Sequence, residues 1–221
     1  MRMTPAMRLR RALGVPVLGM MVVGIGAIVV SIAYVDRPVA RFMAVHIHDR
    51  WPFIAMAAIG NLPSPLATFW LAVMAVMVAL GMRPGERAWR LMLVALATVV
   101  AIMIKDQLKF DFGRVWPLSH PFPGIVDHPS FINDHVFGFF PFHGGSSYGS
   151  FPSGHTTAIT APMATLWVLA PRYRVVWAGL IVIVVTGLIG ADLHFVSDTI
   201  AGFGLGVAVA AGTLVLGRRE G

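Results

Sequence analysis

Residues 13–35 read LGVPVLGMMVVGIGAIVVSIAYV, an apolar stretch with no charged side chain between Arg11 and Asp36. A helix of about 20 mostly apolar residues is long enough to cross the hydrocarbon core of a bilayer. The stretch is too long and too even in hydropathy for a secretory signal peptide, and no small-residue cleavage site follows it. Residues 13–35 therefore predict a first transmembrane helix.

The composition of the whole chain also favours a membrane protein. Of its 221 residues, 57% are apolar and only 12% are charged, whereas soluble domains contain about 25% charged residues. The net charge is +7, but the basic residues are too scattered to form a nucleic-acid-binding face. The absence of cysteine excludes disulfide bonds, thiolate zinc sites and a cysteine nucleophile.

Five further stretches have the length and hydropathy of membrane spans. The sequence thus predicts an all-α polytopic fold, with six transmembrane helices in an antiparallel bundle. No repeat, linker or second domain is visible, so we expect residues 1–221 to form a single integral-membrane domain. The five further spans are predicted at about 65–82, 91–108, 155–170, 175–191 and 196–216.

The positions of arginine and lysine predict the orientation of this bundle, because cytoplasmic loops carry an excess of both. More than half of the 17 basic residues fall on one side, which places both termini in the cytoplasm. The long non-cytoplasmic loops then cover about 36–64, with an amphipathic helix near 38–48, and 110–154, an ordered lid. All eight histidines fall on the outer side or at outer span ends, so we expect chemistry at that face.

Residues 151–157, FPSGHTT, lie where a glycine-rich loop enters the fourth predicted span. Ser153 has the character of a helix N-cap, and the free N–H groups of a first helical turn bind anions. The flexible Gly154 and the acid–base group of His155 suit a phosphate ester whose leaving oxygen needs a proton. A plain N-cap beside an interfacial histidine is the structural alternative.

Residues 194–198, HFVSD, lie between the fifth and sixth predicted spans. His194 and Asp198 are four residues apart, so the carboxylate can accept the ring N–H and leave the other ring nitrogen free as a nucleophile. A structural hydrogen bond or a pair of metal ligands are the alternatives. His155 and His194 are separated by roughly 58 Å of helix, close to two bilayer crossings, so one hairpin returns both to the same surface.

Residues 105–117, KDQLKFDFGRVWP, leave the outer end of the third predicted span. Lys105 and Lys109 share a helical face, and Arg114 follows a glycine. Such cations either anchor lipid headgroups or neutralise the charge that builds up on phosphoryl oxygens in a transition state.

The three segments resemble the signature motifs of the type 2 phosphatidic acid phosphatase (PAP2) superfamily over about residues 50–210. The family pattern is Lys-x6-Arg-Pro, Pro-Ser-Gly-His and Ser-Arg-x5-His-x3-Asp, carried in membrane members on a six-helix core. Both arginines of the pattern are absent, because Trp116 and Leu188 occupy their positions. We expect Arg114 to replace the first and Lys105 the second. The matching residues are Lys109, Ser153, Gly154, His155, His194 and Asp198.

The resemblance implies a mechanism in which His194 attacks phosphorus, Asp198 holds the ring of His194, and His155 protonates the leaving alkoxide. Water then cleaves the phosphohistidine. The resemblance implies no metal and no cofactor. The phosphoryl oxygens would be held by Lys105, Lys109, Arg114, Ser153 and the N–H group of Gly154.

Three functions stay open at this point. The first is a membrane lipid phosphatase that hydrolyses a lipid or polyprenyl phosphate or diphosphate at the periplasmic face of a bacterial inner membrane. The second is a lipid phosphotransferase, in which another hydroxyl replaces water. The third is a non-catalytic protein that binds or transports a lipid phosphate on the same scaffold.

Overall fold

The computed structural model of the chain describes residues 15–118 and 129–217. The start of the first predicted span, residues 119–128 of the predicted lid and both chain termini lie outside this part. Within it the fold is all-α, as predicted, and isolated bridges are the only β-type pairing.

The first helix, α1 (Val15–Val30), continues through a π-helical turn at Ser31–Val35 into α2 (Asp36–His46). The first span was predicted to end at about residue 35, before an amphipathic helix at about 38–48, and a helix is present there at Asp36–His46. The chain instead stays helical, because Pro38 lies in the first turn of α2, where its missing N–H costs little. The side chains of Ser31 and Asp36 are both buried at this turn.

The predicted outer stretch 36–64 is mostly helical. After α2, helix α3 (Trp51–Ala58) leads through a 3₁₀ turn at Ile59–Asn61 to α4 (Pro63–Ala79). Helix α5 (Glu86–Phe112) is longer than predicted and ends at Gly113, which has a left-handed φ of 55°. A Cβ at Gly113 would overlap the carbonyl oxygen of Phe140, so glycine is required there.

The segment after α5 is irregular where the structure describes it, apart from the single turn α6 (Phe131–Asp134) and a 3₁₀ turn. Three long helices complete the fold and begin within one residue of their predicted starts. They are α7 (Gly154–Leu169), α8 (Arg174–Gly190) and α9 (Val196–Leu216).

Five helical segments are long and apolar enough to cross a membrane, and they expose many large apolar side chains, so the chain is an integral membrane protein. Helix α7, with 16 residues, is shorter and lies inside the bundle against α5, α8 and α9. The six-span count and the cytoplasmic termini stay predictions. The five segments are Gly19–His46, Trp51–Ala79, Glu86–Phe112, Pro171–Gly190 and Val196–Leu216.

Helices α7 and α9 pack closely against each other. A Cβ on Gly202 would lie 2.6 Å from the carbonyl oxygen of Ser153, and one on Gly206 would lie 2.6 Å from Cβ of Thr160. These glycines let the two backbones approach each other, as small residues do between membrane helices. The N-terminal ends of α7 and α9 therefore lie side by side.

Candidate active site

The N-terminus of α9 holds the predicted His194–Asp198 pair. Nδ1 of His194 lies 3.4 Å from Oδ2 of Asp198. The same oxygen accepts a 2.9 Å hydrogen bond from the backbone N–H of Phe195 and a 2.6 Å bond from the hydroxyl of Ser150. A carboxylate in the first turn that reaches back to the N-cap N–H is a common helix start. Asp198 is therefore fixed by several donors and faces the imidazole of His194.

His194 lies in the short connection between α8 and α9, with only 4% of its surface exposed. Burial lowers the pKa of His194 below its ordinary value, because removal from water disfavours the imidazolium, although the hydrogen bond to Asp198 acts in the opposite direction. The ring is therefore neutral near about pH 7. With Nδ1–H directed at the carboxylate, Nε2 is left as the free, nucleophilic nitrogen.

The N-terminus of α7 carries the other predicted motif. Ser153 is fully buried and caps the helix: its oxygen accepts hydrogen bonds from the backbone N–H of Thr156 (3.4 Å) and from the Thr156 hydroxyl (3.0 Å). Gly154 begins the helix, where N–H groups have no partner within the helix. His155 is half-buried and packs against the 3₁₀ turn at Gly60, whose Cβ would lie 2.8 Å from Cβ of His155.

Both lysines of the sequence meet at this helix end. A Cβ built on Gly154 would lie 3.5 Å from Nζ of Lys109 and 3.6 Å from Nζ of Lys105. Lys105 forms an ion pair with Asp106 at 2.5 Å, and the ammonium of Lys109 lies 5.3 Å from the centre of the Trp116 ring. Two ammonium groups beside free helical N–H groups form a site suited to an anion.

Both histidines lie near these two lysines at the N-terminus of α7. His155 interacts electrostatically with His194, Lys109 and Lys105, and the Trp116 ring lies 4.9 Å from the ring of His194. The structure therefore brings two histidines and two lysines together. Chemically, this set can attack a phosphorus centre, protonate a leaving oxygen and neutralise phosphoryl charge.

Arg114 differs from the expectation that it replaces a phosphate-binding arginine. Its side chain is fully buried, and Nη1 donates to Oδ1 of Asp198 and, at 2.6 Å, to the hydroxyl of Ser197. Nη2 donates to Oδ2 of Asp36 at 2.7 Å. A guanidinium removed from water needs such carboxylate partners, and these partners take up both terminal nitrogens. Contact between Arg114 and a phosphate stays a prediction.

The two positions where the family pattern has arginine carry other side chains here. Trp116 donates from its indole N–H to the carbonyl oxygen of Ser146 at 2.7 Å and lies between Lys109 and His194. Leu188 is completely buried in the apolar core. Neither position supplies a cation to the site.

Three residues of this site were not predicted from the sequence. Asp36, Ser150 and Ser197 all belong to the hydrogen-bond network around Asp198. The sequence offered one indication for Asp36, which is that its carboxylate directly follows the long apolar stretch 13–35. Asp192, two residues before His194, is buried and forms an ion pair with the partly exposed Arg50 at 3.8 Å. Among the residues that the structure describes, no cluster of three or more His, Cys, Asp or Glu can hold a metal ion.

Comparisons with known proteins connect this geometry to a family. The family model described as the PAP2 superfamily matches residues 90–220, and this range contains all three motifs.

Two curated relatives are lipid A 1-phosphatases. That of Rhizobium johnstonii is 34% identical over 125 residues, which cover 54% of this chain and 44% of that protein. That of Rhizobium etli is 40% identical over 110 residues, which cover 47% of this chain and 40% of that protein. The chain thus spans less than half the length of these relatives.

A solved structure has a similar fold. The first transmembrane PAP2 type phosphatidylglycerolphosphate phosphatase from Bacillus subtilis superposes with a TM-score of 0.56 at 21% sequence identity, covering 89% of this chain and 94% of that chain. The family match covers more than half of the chain, and the motif residues come together at one site. The chain belongs to the PAP2 superfamily.

Proposed function

We propose that this integral membrane protein is a lipid phosphatase that hydrolyses a lipid or polyprenyl phosphate ester through a phosphohistidine intermediate. One observation carries the proposal. His194, held by Asp198, lies beside His155 and the two lysines that converge on the N-terminus of α7.

In the first step, Nε2 of His194 attacks phosphorus and the bond from phosphorus to the ester oxygen breaks. The negative charge of the bound phosphate favours the imidazolium form of His155, and this form donates a proton to that oxygen. A phosphomonoester then releases the lipid as an alcohol, and a diphosphate releases it as a lipid monophosphate. In the second step, His155 accepts a proton from water as the water oxygen attacks phosphorus. The phosphorus–nitrogen bond then breaks, inorganic phosphate leaves, and both histidines return to their starting state.

The negative charge of the transition state requires fixed positive groups close to the phosphoryl oxygens. Lys105 and Lys109 supply two ammonium groups beside Gly154, where the first N–H groups of α7 have no partner within the helix. Ser153, which was expected to bind phosphate, acts in this proposal through the start of α7, because its oxygen caps that helix.

The relatives and the apolar surroundings support a class of substrate. The relatives are named for lipid A 1-phosphate, and the structural neighbour for phosphatidylglycerolphosphate. Both are phosphate monoesters on a membrane lipid. We therefore propose a lipid phosphomonoester or diphosphate as substrate, reached from the periplasmic face of a bacterial inner membrane.

Release of inorganic phosphate from a panel of lipid phosphates, measured with the purified full-length chain in detergent, tests the proposal. The wild type is expected to release phosphate from at least one lipid, and His194→Ala and His155→Ala are expected to abolish release without unfolding. His46→Ala is the matched control, because His46 is exposed and bonded only to its own helix in the described structure. Full activity in both site variants contradicts the proposal.

A phosphotransferase is the second candidate, because neither arginine of the family pattern is present at this site. A substrate labelled in its phosphoryl group separates the two reactions. Labelled inorganic phosphate is expected for hydrolysis, whereas a labelled second lipid or sugar would show transfer.

A further inference from the structure

The carboxylate of Asp36 reaches the catalytic surroundings from a part of the chain that precedes the family match. Asp36 is fully buried at the first residue of α2. Its Oδ1 accepts a 2.9 Å hydrogen bond from the backbone N–H of Ser197 and a 3.1 Å bond from the hydroxyl of Ser31. Its Oδ2 accepts from the Ser197 hydroxyl at 2.5 Å and from Arg114 at 2.7 Å.

Arg114 is shared between two carboxylates, Asp36 and Asp198. All three side chains are fully buried, so water screens their charges little. Three phenylalanine rings surround the guanidinium group of Arg114. Its central carbon lies 4.3 Å from the centre of the Phe195 ring, 4.8 Å from that of Phe139 and 5.4 Å from that of Phe137.

The charge balance of this cluster decides how strongly Asp198 acts on His194. With both carboxylates ionised, one guanidinium faces two negative charges, and the cluster has a net negative charge. Without Asp36, the full charge of Arg114 would be directed at Asp198 alone. A carboxylate neutralised in this way attracts an adjacent imidazolium less. The other titratable groups that face His194 are His155 and Lys109.

We infer that Asp36 is a positioning residue of the site, which orients Arg114 and takes up part of its charge so that Asp198 keeps its negative charge for His194. This inference rests on the proposed function of the His194–Asp198 pair. Asp36 does not contact the reacting phosphate; it acts through Arg114 and Asp198. Asp36 is thus a fourth contribution to the site, beside the three family motifs, and it comes from the turn between α1 and α2.

A comparison of four chains tests the inference: wild type, Asp36→Asn, Arg114→Gln and the double variant. In the wild-type background, Asp36→Asn is expected to lower kcat roughly 10- to 100-fold, less than the loss expected for removing the carboxylate of a histidine pair itself. KM is expected to change by less than about twofold, since Asp36 does not bind substrate. Asp49→Asn, an exposed aspartate outside the network, is the matched control.

The pH profile separates this role from simple structural support. A more strongly neutralised Asp198 stabilises the protonated form of His194 less, so the acid limb of kcat/KM is expected to move to lower pH in Asp36→Asn. Asp36→Glu retains the charge and is expected to recover part of kcat and the wild-type position of the acid limb. Loss of activity with an unmoved acid limb would overturn the inference.

The Arg114→Gln background keeps the inference testable even where Asp36→Asn does not fold. Because Asp36 acts through Arg114, adding Asp36→Asn to Arg114→Gln is expected not to lower kcat further. The double variant is also expected to be more stable than Arg114→Gln, which leaves two buried carboxylates without their cation. A further loss of about tenfold or more in the double variant would falsify the inference.

Failure of this inference is distinguishable from failure of the proposed function. If His194→Ala is inactive while folded Asp36→Asn has wild-type kcat and an unmoved acid limb, the inference fails and the phosphatase proposal stands. If His194→Ala retains full activity, the phosphatase proposal fails first.

Discussion

The backbone N–H of Ser153 donates a 3.0 Å hydrogen bond to the backbone carbonyl of Asp198. This bond joins the first turn of α7 to the first turn of α9. The residue that caps the proposed phosphate-binding helix is thereby held against the residue that orients the proposed nucleophile. The relative position of the two motifs depends on the close contact of these two helices.

Replacement of Gly206 by alanine tests that contact. The new Cβ would lie 2.6 Å from Cβ of Thr160 and 2.9 Å from the backbone nitrogen of Ala161, so α9 must move away from α7. Overpacking of this kind costs about 1–3 kcal/mol. We expect a lower thermal midpoint in detergent together with lower activity. Gly204→Ala on the same helix is the control, since no atom lies within 4 Å of its Cβ, and equal midpoints for both variants would contradict the packing role.

Replacement of Gly154 by alanine tests the anion site. The added methyl group would lie 3.2 Å from Cδ of Lys105 and 3.5 Å from Nζ of Lys109, in the space assigned to phosphoryl oxygens. We expect a raised inhibition constant for inorganic phosphate and a raised KM, with an unchanged thermal midpoint. Gly138→Ala, whose Cβ makes only ordinary contacts with the Phe140 ring, is expected to behave like the wild type. Unaltered phosphate inhibition in Gly154→Ala would place the phosphate elsewhere.

The two lysines are expected to contribute unequally. Asp106 pairs with Lys105 and shares its charge, whereas the ammonium of Lys109 faces the Trp116 ring. Removal of one group that stabilises transition-state charge costs about 100-fold or more in kcat. Lys109→Met is therefore expected to lower kcat/KM more than Lys105→Met, as measured by phosphate release. The reverse order would show that Lys105 is the principal cation.

The pH dependence of the reaction follows from the burial of His194. Burial lowers the pKa of His194, so the proposed nucleophile is neutral near about pH 7 and gains a proton only below its ordinary value of about 6.5. The acid limb of kcat/KM is therefore expected below about pH 6.5. The control His46→Ala should leave this limb in place, and a limb above about pH 7 would contradict a buried neutral nucleophile.

The same burial affects stability. In the unfolded chain His194 takes up a proton near about pH 6.5, whereas in the folded chain it does so only at lower pH. Its contribution to the free energy of unfolding is thus fully present above about pH 6.5 and is lost as the pH falls through the folded-state pKa.

Much of the fold was predictable because each span is a local property of the sequence. Helix α9 occupies residues 196–216 as predicted, and α7 begins at Gly154, next to its serine N-cap. The predicted end of the first span at residue 35 is not an end of the helix, because Asp36 has partners from α9 and from the segment after α5 that allow the helix to continue through a charged residue.

The candidate site was predictable where its residues are close in sequence or belong to a motif. The pair His194 and Asp198 has helical spacing, and the structure brings it together. The role of Asp36 was not predictable, because its partners Arg114 and Ser197 are 78 and 161 positions away. For Arg114 the sequence indicated a cation near the site. Whether that cation binds phosphate or carboxylates depends on its burial, and no local sequence pattern reveals burial.

The separation of Asp36 and Ser197 along the chain has a consequence for biosynthesis. Asp36 is translated at the start of α2 and Ser197 in α9, yet their side-chain oxygens lie 2.5 Å apart in the folded protein. Until α9 is inserted, Asp36 and Arg114 have neither Ser197 nor Asp198 as partners. A chain arrested before α9 therefore contains the serine, glycine and histidine of the central motif but not the assembled candidate site.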